Sequence, residues 1–375
     1  MTDLLDPLQS LKAGNWFKLI CGASFQHLPA VRSLALAYTL AGADCIDVAA
    51  DPAVIAAAQE GLEVAKDLFK DAKARGYGYK GSLPLLMVSL NDGEDPHFRK
   101  AEFNSSDCPK DCHRPCETIC PAQAIVFNRI DDISTPLNVN TSGVEAQKCY
   151  GCGRCIPVCP YGKIYTKSYM STTTAIAPLV MSQVVDAIEI HTQVGHLTKF
   201  RQLWQTISPW ADQFKVIAIS CPDGEGIIDY LKAITELITP LHGSLIWQTD
   251  GRPMSGDIGD GTTLASVKLG QKVLTANLPG YVQLAGGTNS YTVAKLKAMG
   301  LLKSSEYHQH YVSGVAYGSY ARVLLSPILD QLENQEVSPT SVKAKVRLEA
   351  EPELLWPAVK LAHSLVSQIK SQQER

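Results

Sequence analysis

Eight of the eleven cysteines stand in two short runs: Cys108, Cys112, Cys116 and Cys120 followed by Pro121, and Cys149, Cys152, Cys155 and Cys159 followed by Pro160. Thiolates so spaced can converge on one small inorganic cage if the backbone comes close enough for its N–H groups to face the sulfurs. Gly151 and Gly153 permit that approach, and Pro160 turns the chain away after the last cysteine by fixing φ and removing a donor. Zinc needs only four thiolates, usually from two C-x2-C knuckles set farther apart, a layout neither run shows.

The second run has the C-x2-C-x2-C-x3-C-P spacing of bacterial ferredoxins, which hold iron–sulfur cubes. The first is wider, with three residues in every interval. Pro109, Pro115 and Pro121 argue against a continuous helix there, so the expectation is an enlarged loop around a cluster. Cys120-Pro121-Ala122-Gln123-Ala124-Ile125 echoes Cys159-Pro160-Tyr161-Gly162-Lys163-Ile164, an internal repeat with Ile125 and Ile164 as matching apolar lids. In two-cluster ferredoxins the fourth cysteine of each run serves the other cluster. That pattern implies Cys108, Cys112, Cys116 and Cys159 on one cluster and Cys149, Cys152, Cys155 and Cys120 on the other. Two 4Fe–4S clusters are expected, with a three-iron or labile cluster as the alternative at the widened loop.

The chain has 375 residues, enough for a full core and more than one domain, and its formal net charge is -3 (Lys+Arg 34, Asp+Glu 37). No basic block offers a nucleic-acid footprint, and no window reaches the ~18 apolar residues of a membrane span. The first residues carry no secretory signal, so the expected location is the cytoplasm, where clustered cysteines are ligands more often than disulfides. Cys21 and Cys45 lie in apolar runs and read as small buried hydrophobes. Cys221, between Val216-Ile217-Ala218-Ile219-Ser220 and Pro222, reads as a packed thiol, with a redox thiol as the alternative.

Eight short apolar runs alternate with helical stretches: Phe17 to Cys21, Cys45 to Val48, Leu85 to Leu90, Ala187 to His191, Val216 to Ser220, Leu245 to Gln248, Tyr281 to Leu284 and Gly314 to Tyr317. Near-continuous apolar runs between helices read as buried parallel strands, and the count predicts an α/β fold of (β/α)8 barrel type, an open doubly wound sheet being the runner-up. Helices are expected from Pro29 to about Leu40, from Pro52 towards Gly76 and near Pro178. The expected division is a barrel-like domain (1–103 and 171–330), an inserted ferredoxin-like module (104–170) and a C-terminal linker and helix (331–375). Because the insertion follows strand three, the clusters should stand beside the barrel's C-terminal mouth.

Polar residues gather at the strand ends. Gly286, Gly287 and Thr288 after strand seven, with Gly318 and Ser319 after strand eight, could present N–H groups to the phosphate of a flavin or similar ligand; simple helix capping by Thr288, Asn289 and Ser319 is the alternative. Glu189 and His191 alternate with Ile188 and Ile190, so both can point into the barrel, although such a histidine is more often a hydrogen-bonded core residue than a base. The stretch from Asp250 to Gly261 has the composition of a lid or of a solvated connection. Gln331 to Thr340 reads as an exposed connector, after which Leu354, Leu355, Ala358, Leu361, Ala362, Leu365, Val366 and Ile369 recur at helical spacing and should dock on the barrel.

Both cysteine runs, the barrel-like frame and the loop Gly251-Arg252-Pro253-Met254-Ser255-Gly256-Asp257 together resemble the light-dependent period protein family of cyanobacteria over nearly the full length. The resemblance implies a cytoplasmic iron–sulfur protein that reports redox state to the circadian clock and associates with clock-input proteins. The first expectation is therefore a non-catalytic redox sensor or electron-transfer protein. The competing ones are a flavin oxidoreductase barrel fed by the clusters and an interaction scaffold in which the clusters are structural.

Overall fold

The eight runs close into a parallel barrel, because each is predominantly apolar and buried, and is satisfied by a neighbour on either side and helices outside. The structure is a computed structural model that describes residues 6–22, 28–77, 82–93, 99–120, 122–127, 143–146, 148–149, 155–168, 185–251, 262–303, 310–338, 341–342 and 346–370. The chain runs α1 (Pro7–Ala13), β1 (Trp16–Ile20), α2 (Leu28–Leu40), β2 (Cys45–Ala49), α3 (Pro52–Ala74) and β3 (Leu85–Asn91). There the cysteine segment intervenes, with β4 (Arg99–Glu102), α4 (Pro115–Ile119), β5 (Ile125–Val126), β6 (Gly143–Val144), α5 (Cys155–Val158) and β7 (Tyr165–Ser168). The barrel resumes with β8 (Ala187–His191), α6 (Leu197–Ile207), β9 (Val216–Pro222), α7 (Ile227–Ile238), β10 (Ser244–Asp250), α8 (Thr263–Thr275), β11 (Tyr281–Ala285), α9 (Thr292–Ala298) and β12 (Gly314–Tyr317). Helices α10 (Ser319–Glu336) and α11 (Pro352–Lys370) follow.

The strand order is β1-β12-β11-β10-β9-β8-β3-β2, every pair parallel. All eight expected strands are present and the open doubly wound alternative is excluded. The barrel interior is layered. Trp16, Cys45, Leu85, Met87, Ala187, Val216, Ala218 and Ile246 fill its lower part, closed below by Leu11 of α1. A second apolar layer, between strands and helices, holds most of the core.

Helices α2 and α3 begin and end close to the sequence expectation; Asp51 caps α3 by accepting from Ala53 and Val54 N–H, with Pro52 in the first turn. The helix expected near Pro178 lies outside the described residues. The connector expected from Gln331 is instead helical as far as Glu336: α10 continues through Pro327 because Leu325 and Leu332, two turns apart, both bury against the core. Helix α11 docks through the expected stripe, with Leu354, Leu355, Ala358, Ala362, Leu365, Val366 and Ile369 buried. Among the described residues no helix is long and apolar enough to cross a membrane.

Candidate functional site

The cysteine segment leaves the barrel and returns on an antiparallel pair of strands, with Arg99 opposite Ser168 and Glu102 opposite Tyr165. Between them the chain is short of regular structure, as its prolines dictate. Pro115 opens α4, and the chain is extended again at Cys120. The segment has its own apolar cluster of Ala101, Phe103, Cys116, Ala124, Ile125, Phe127, Cys149, Cys155 and Ile164, with Cys108, Cys120 and Cys159 packed against it. Ile125 and Ile164 are both buried there, as the repeat predicts.

The repeat is visible at the sulfurs. Ala124 N–H donates to Cys120 Sγ at 3.2 Å, and Lys163 N–H donates to Cys159 Sγ at 3.4 Å, each from four residues on. Arg114 N–H donates to Cys112 Sγ at 3.4 Å. Burial alone would raise the Cys159 thiol, but the N–H groups of Lys163, Tyr161, Ile164 and Gly162 face it and hold its pKa below the ordinary value. Cys108 is raised by burial and then by the fields of Cys112 and Cys159; Cys116 is raised by burial and feels Cys159 and Cys108. Cys159 therefore neighbours the first run in space although it belongs to the second in sequence. Cys108, Cys112, Cys120 and Cys159 are partly exposed, whereas Cys116, Cys149 and Cys155 are buried; Cys152 lies outside the described residues. Among the described residues no three His, Cys, Asp or Glu side chains already close on a single metal position. The donor set suits an iron–sulfur group: soft thiol ligands supported by peptide N–H···S bonds, in a half-buried apolar shell.

The five residues expected to meet a phosphate gather on one side of the barrel mouth. Gly286 and Gly287 have φ of 65° and 88°, a turn that glycine adopts without strain. Their carbonyls accept from Ser266 Oγ at 2.9 Å and Thr262 Oγ1 at 2.8 Å, and Thr288 Oγ1 donates to Ala316 O at 2.6 Å, so Thr288 ties the two strand ends together. Beside Gly318, Arg322 donates to Ser319 Oγ and to Ile20 O, both at 3.1 Å. The expected lid is described only at Asp250 and Gly251. Cys221 is buried at the end of β9, and burial followed by the field of Asp92 pushes its thiol up to about 12, which favours the packed reading over the redox one.

Glu189 and His191 point into the barrel, as their alternation with Ile188 and Ile190 predicts, but the sequence did not reveal the lysine that meets Glu189 at its centre. Lys18, fully buried, forms ion pairs with Glu189 and with Asp47 at 3.0 Å and donates to Gln248 Oε1 at 3.0 Å. Its one warning was a lysine inside an apolar strand, which has to find a counter-charge.

Fold and cysteine segment together define a class, an α/β barrel protein that carries an inserted iron–sulfur cluster-binding domain: residues 108–170 match the profile of the LdpA Fe-S cluster-binding domain. Residues 179–368 match the light dependent period A C-terminal domain. The chain is also 48% identical, over 97% of its length and 94% of the relative's, to Light dependent period A of Synechococcus elongatus. It belongs to the light dependent period A family. Solved structures resemble it loosely. The N-terminal domain of a provisionally named aldolase from Bacteroides vulgatus gives a TM-score of 0.41 at 10% identity, covering 96% of this chain and 88% of that one. A Streptomyces plicatus beta-hexosaminidase gives 0.34 at 11%, covering 93% and 69%.

Proposed function

We propose that the protein is a cytoplasmic iron–sulfur redox sensor of circadian-clock input, with clock-input proteins as partners and no nucleic acid among them. The family supports the clock assignment through the relative's name, which refers to a light-dependent period. In this reading 104–170 is a two-cluster module inserted in a barrel formed by 1–103 and 171–330, and 331–375 is a C-terminal extension. Cys108, Cys112, Cys116 and Cys159 hold one 4Fe–4S cluster; Cys149, Cys152, Cys155 and Cys120 hold the other. The observation that supports the reading is that Cys159 lies near Cys108 and Cys116, one half of the crossing expected of a two-cluster module.

Bound clusters supply reversible one-electron chemistry. The chain supplies the rest. Asp107, Lys110, Asp111, His113 and Glu117 are exposed around the first run, so among the described cysteines Cys108, Cys112 and Cys120 face water and solutes more than Cys149 and Cys155 do. Arg114 lies over the Phe127 ring at 4.3 Å and fastens that loop to the module's apolar cluster. Oxidation or loss of the outer cluster would release this loop and alter a docking surface, a local change with a distant readout.

The test is Cys112→Ser in protein prepared without oxygen. About eight irons per chain are expected in the parent and fewer in the variant. The variant should keep its barrel fold and lose redox-dependent partner binding; an unchanged redox response removes the outer cluster from the mechanism. One observation favours a second reading, a flavin-dependent barrel oxidoreductase fed by the clusters. Arg322 stands at the start of α10 beside Gly318 and Ser319, where a flavin phosphate would lie, with Gly286, Gly287 and Thr288 adjoining. Yellow absorbance released on denaturation would support it, and its absence from carefully purified protein would remove it.

A further inference from the structure

Among the described residues the polar side chains inside the barrel bond to one another in a continuous layer. Trp16 Nε1 donates to Gln283 Oε1, Gln283 Nε2 to Gln248 Oε1, and Gln248 Nε2 to Ser220 Oγ at 3.1 Å and Glu189 Oε1 at 2.7 Å. Lys18 is paired with Asp47 and with Glu189 Oε2, and Ser89 Oγ donates to Asp47 Oδ1. Both Glu189 oxygens are thus committed, Oε1 also to His191 Nε2 at 3.0 Å. Among the described residues the other ring nitrogen of His191, Nδ1, has no partner. The His191 side chain is 36% accessible, whereas that of Glu189 beneath it is 0%.

Stability alone does not account for this layer. Barrel interiors are ordinarily filled by apolar side chains, as the layer below is here, and a buried ion triad is no more stabilising than the apolar residues it replaces. Its position is the one where barrels do chemistry, directly under the C-terminal mouth. Pairing and alternation put Ile20, Ala49, Asn91, His191, Asp250 and Gly318 at the mouth's inward positions, and all six are half-buried, so the floor they form keeps some exposed surface.

We propose that this mouth is a binding site for a small oxyanion, a carboxylate or a phosphate compound, received by His191 Nδ1 while Glu189, held by Lys18 and Gln248, fixes the ring. Lys18 is no candidate for imine chemistry, because Asp47 and Glu189 overcome its burial and keep it charged. His191 is different. Burial opposes its charge, but Glu189 and then Asp47 outweigh burial and the field of Lys18 and raise its pKa to about 8, so near neutrality it donates from both nitrogens. From the neighbouring strand ends, Asp92 is held by His196 Nδ1 at 2.9 Å and by Thr192, and Asp250 stands at the rim. The N-termini of the helices that follow the strands point towards the same face and add positive potential there.

The proposal is independent of the redox reading and is tested on cluster-loaded, full-length protein by calorimetric titration with inorganic phosphate and with glycerate. Wild type should bind at least one of them near pH 6.5 and bind it about tenfold more weakly near pH 9.5. His191→Gln should lose the binding while its cluster absorbance and far-ultraviolet circular dichroism stay as in the parent. Binding of phosphate alone assigns a phosphate ligand, and binding of glycerate alone a carboxylate. Failure of both to bind wild type at millimolar concentration, or equal binding by His191→Gln, overturns the proposal, and neither result touches the cluster assays that test the sensor.

Discussion

The ammonium of Lys100, on the first strand of the cysteine module, is buried against the carboxylate of Asp51, the residue that caps helix α3 of the barrel. The same ammonium donates to the carbonyl of Ala146, three residues before Cys149. One side chain thus joins the barrel to the second cysteine run. Asp51 is 0% exposed and Lys100 4%. Removing one partner of such a pair leaves an uncompensated buried charge, so Lys100→Met should lower stability by about 3 kcal/mol and speed amide exchange around Ala146. Asp51→Asn in the same chain should recover much of the loss, since Asn still caps the helix. Denaturant titration of the parent, the single variant and the double variant decides it; a single variant as stable as the parent would show that the link carries no energy.

The paired His191 predicts a slope in stability with pH. Its pKa rises from 6.5 to about 8 on folding, since Glu189 outweighs the burial that opposes charge. The protonated form is therefore the stabilised one: the contribution is complete below about pH 6.5 and is lost as pH climbs through 8. For a side chain 36% accessible, screening by water reduces this to about 1 kcal/mol. Urea midpoints at pH 6 and pH 9 should differ more in wild type than in His191→Gln, and parallel slopes would refute the pairing.

The eight strands were legible because a buried parallel strand leaves an apolar run bounded by helix signals, from Phe17 to Tyr317, and each run had only one use in the fold. The cysteine module was legible for a chemical reason, the spacing that lets thiolates share a cage. The barrel centre was legible only in part, in the alternation that turns Glu189 and His191 inward. Lys18, Asp47, Glu189 and Gln248 lie on four different strands, and sequence does not say which inward positions meet; only closure of the barrel brings Lys18 to Glu189, 171 residues away. Lys100 was hidden for the same reason, its partners lying 49 and 46 residues off on either side. The continuation of α10 past Pro327 escaped because the proline's local penalty is visible in sequence, whereas the burial of Leu332 that offsets it is a tertiary fact.

Gly61 of α3 allows α3 to lie directly on α2. A β-carbon built there would stand 2.5 Å from Arg32 O, 3.1 Å from Ala35 Cβ and 3.2 Å from Leu36 N. Alanine gains about 1 kcal/mol of helix propensity, but two of the three neighbours are backbone atoms that cannot rotate aside, and overpacking costs about 1–3 kcal/mol. The clash should win. Gly61→Ala is expected to melt about one to two degrees below the parent, by about 1 kcal/mol at the midpoint. A higher melting temperature would mean that the two helices separate freely.

Lys370 ends α11 with its ammonium inside the protein, donating to both oxygens of Asp44 and, at 2.9 Å, to Ser10 Oγ of α1. Asp44 also accepts from Phe17 N–H at 2.7 Å, at the start of the barrel. The C-terminal helix is thus pinned to β1, α1 and the entry to β2 through one ion pair. Burial pushes the two groups in opposite directions, Asp44 upward and Lys370 downward, each towards its neutral form, and their mutual attraction opposes both shifts. Lys370→Met keeps the length of the side chain and removes the charge, so Asp44 must ionise alone or take up a proton. The expected loss is about 3 kcal/mol, seen as a lower denaturation midpoint and faster proteolytic cleavage within 352–370. Lys370→Met with Asp44→Asn should restore most of it, because Asn still accepts from Phe17 N–H and no buried charge remains. If the double variant is no more stable than Lys370→Met, the pin is lost packing at the helix end rather than charge, and the buried pair is not what holds α11 to the barrel.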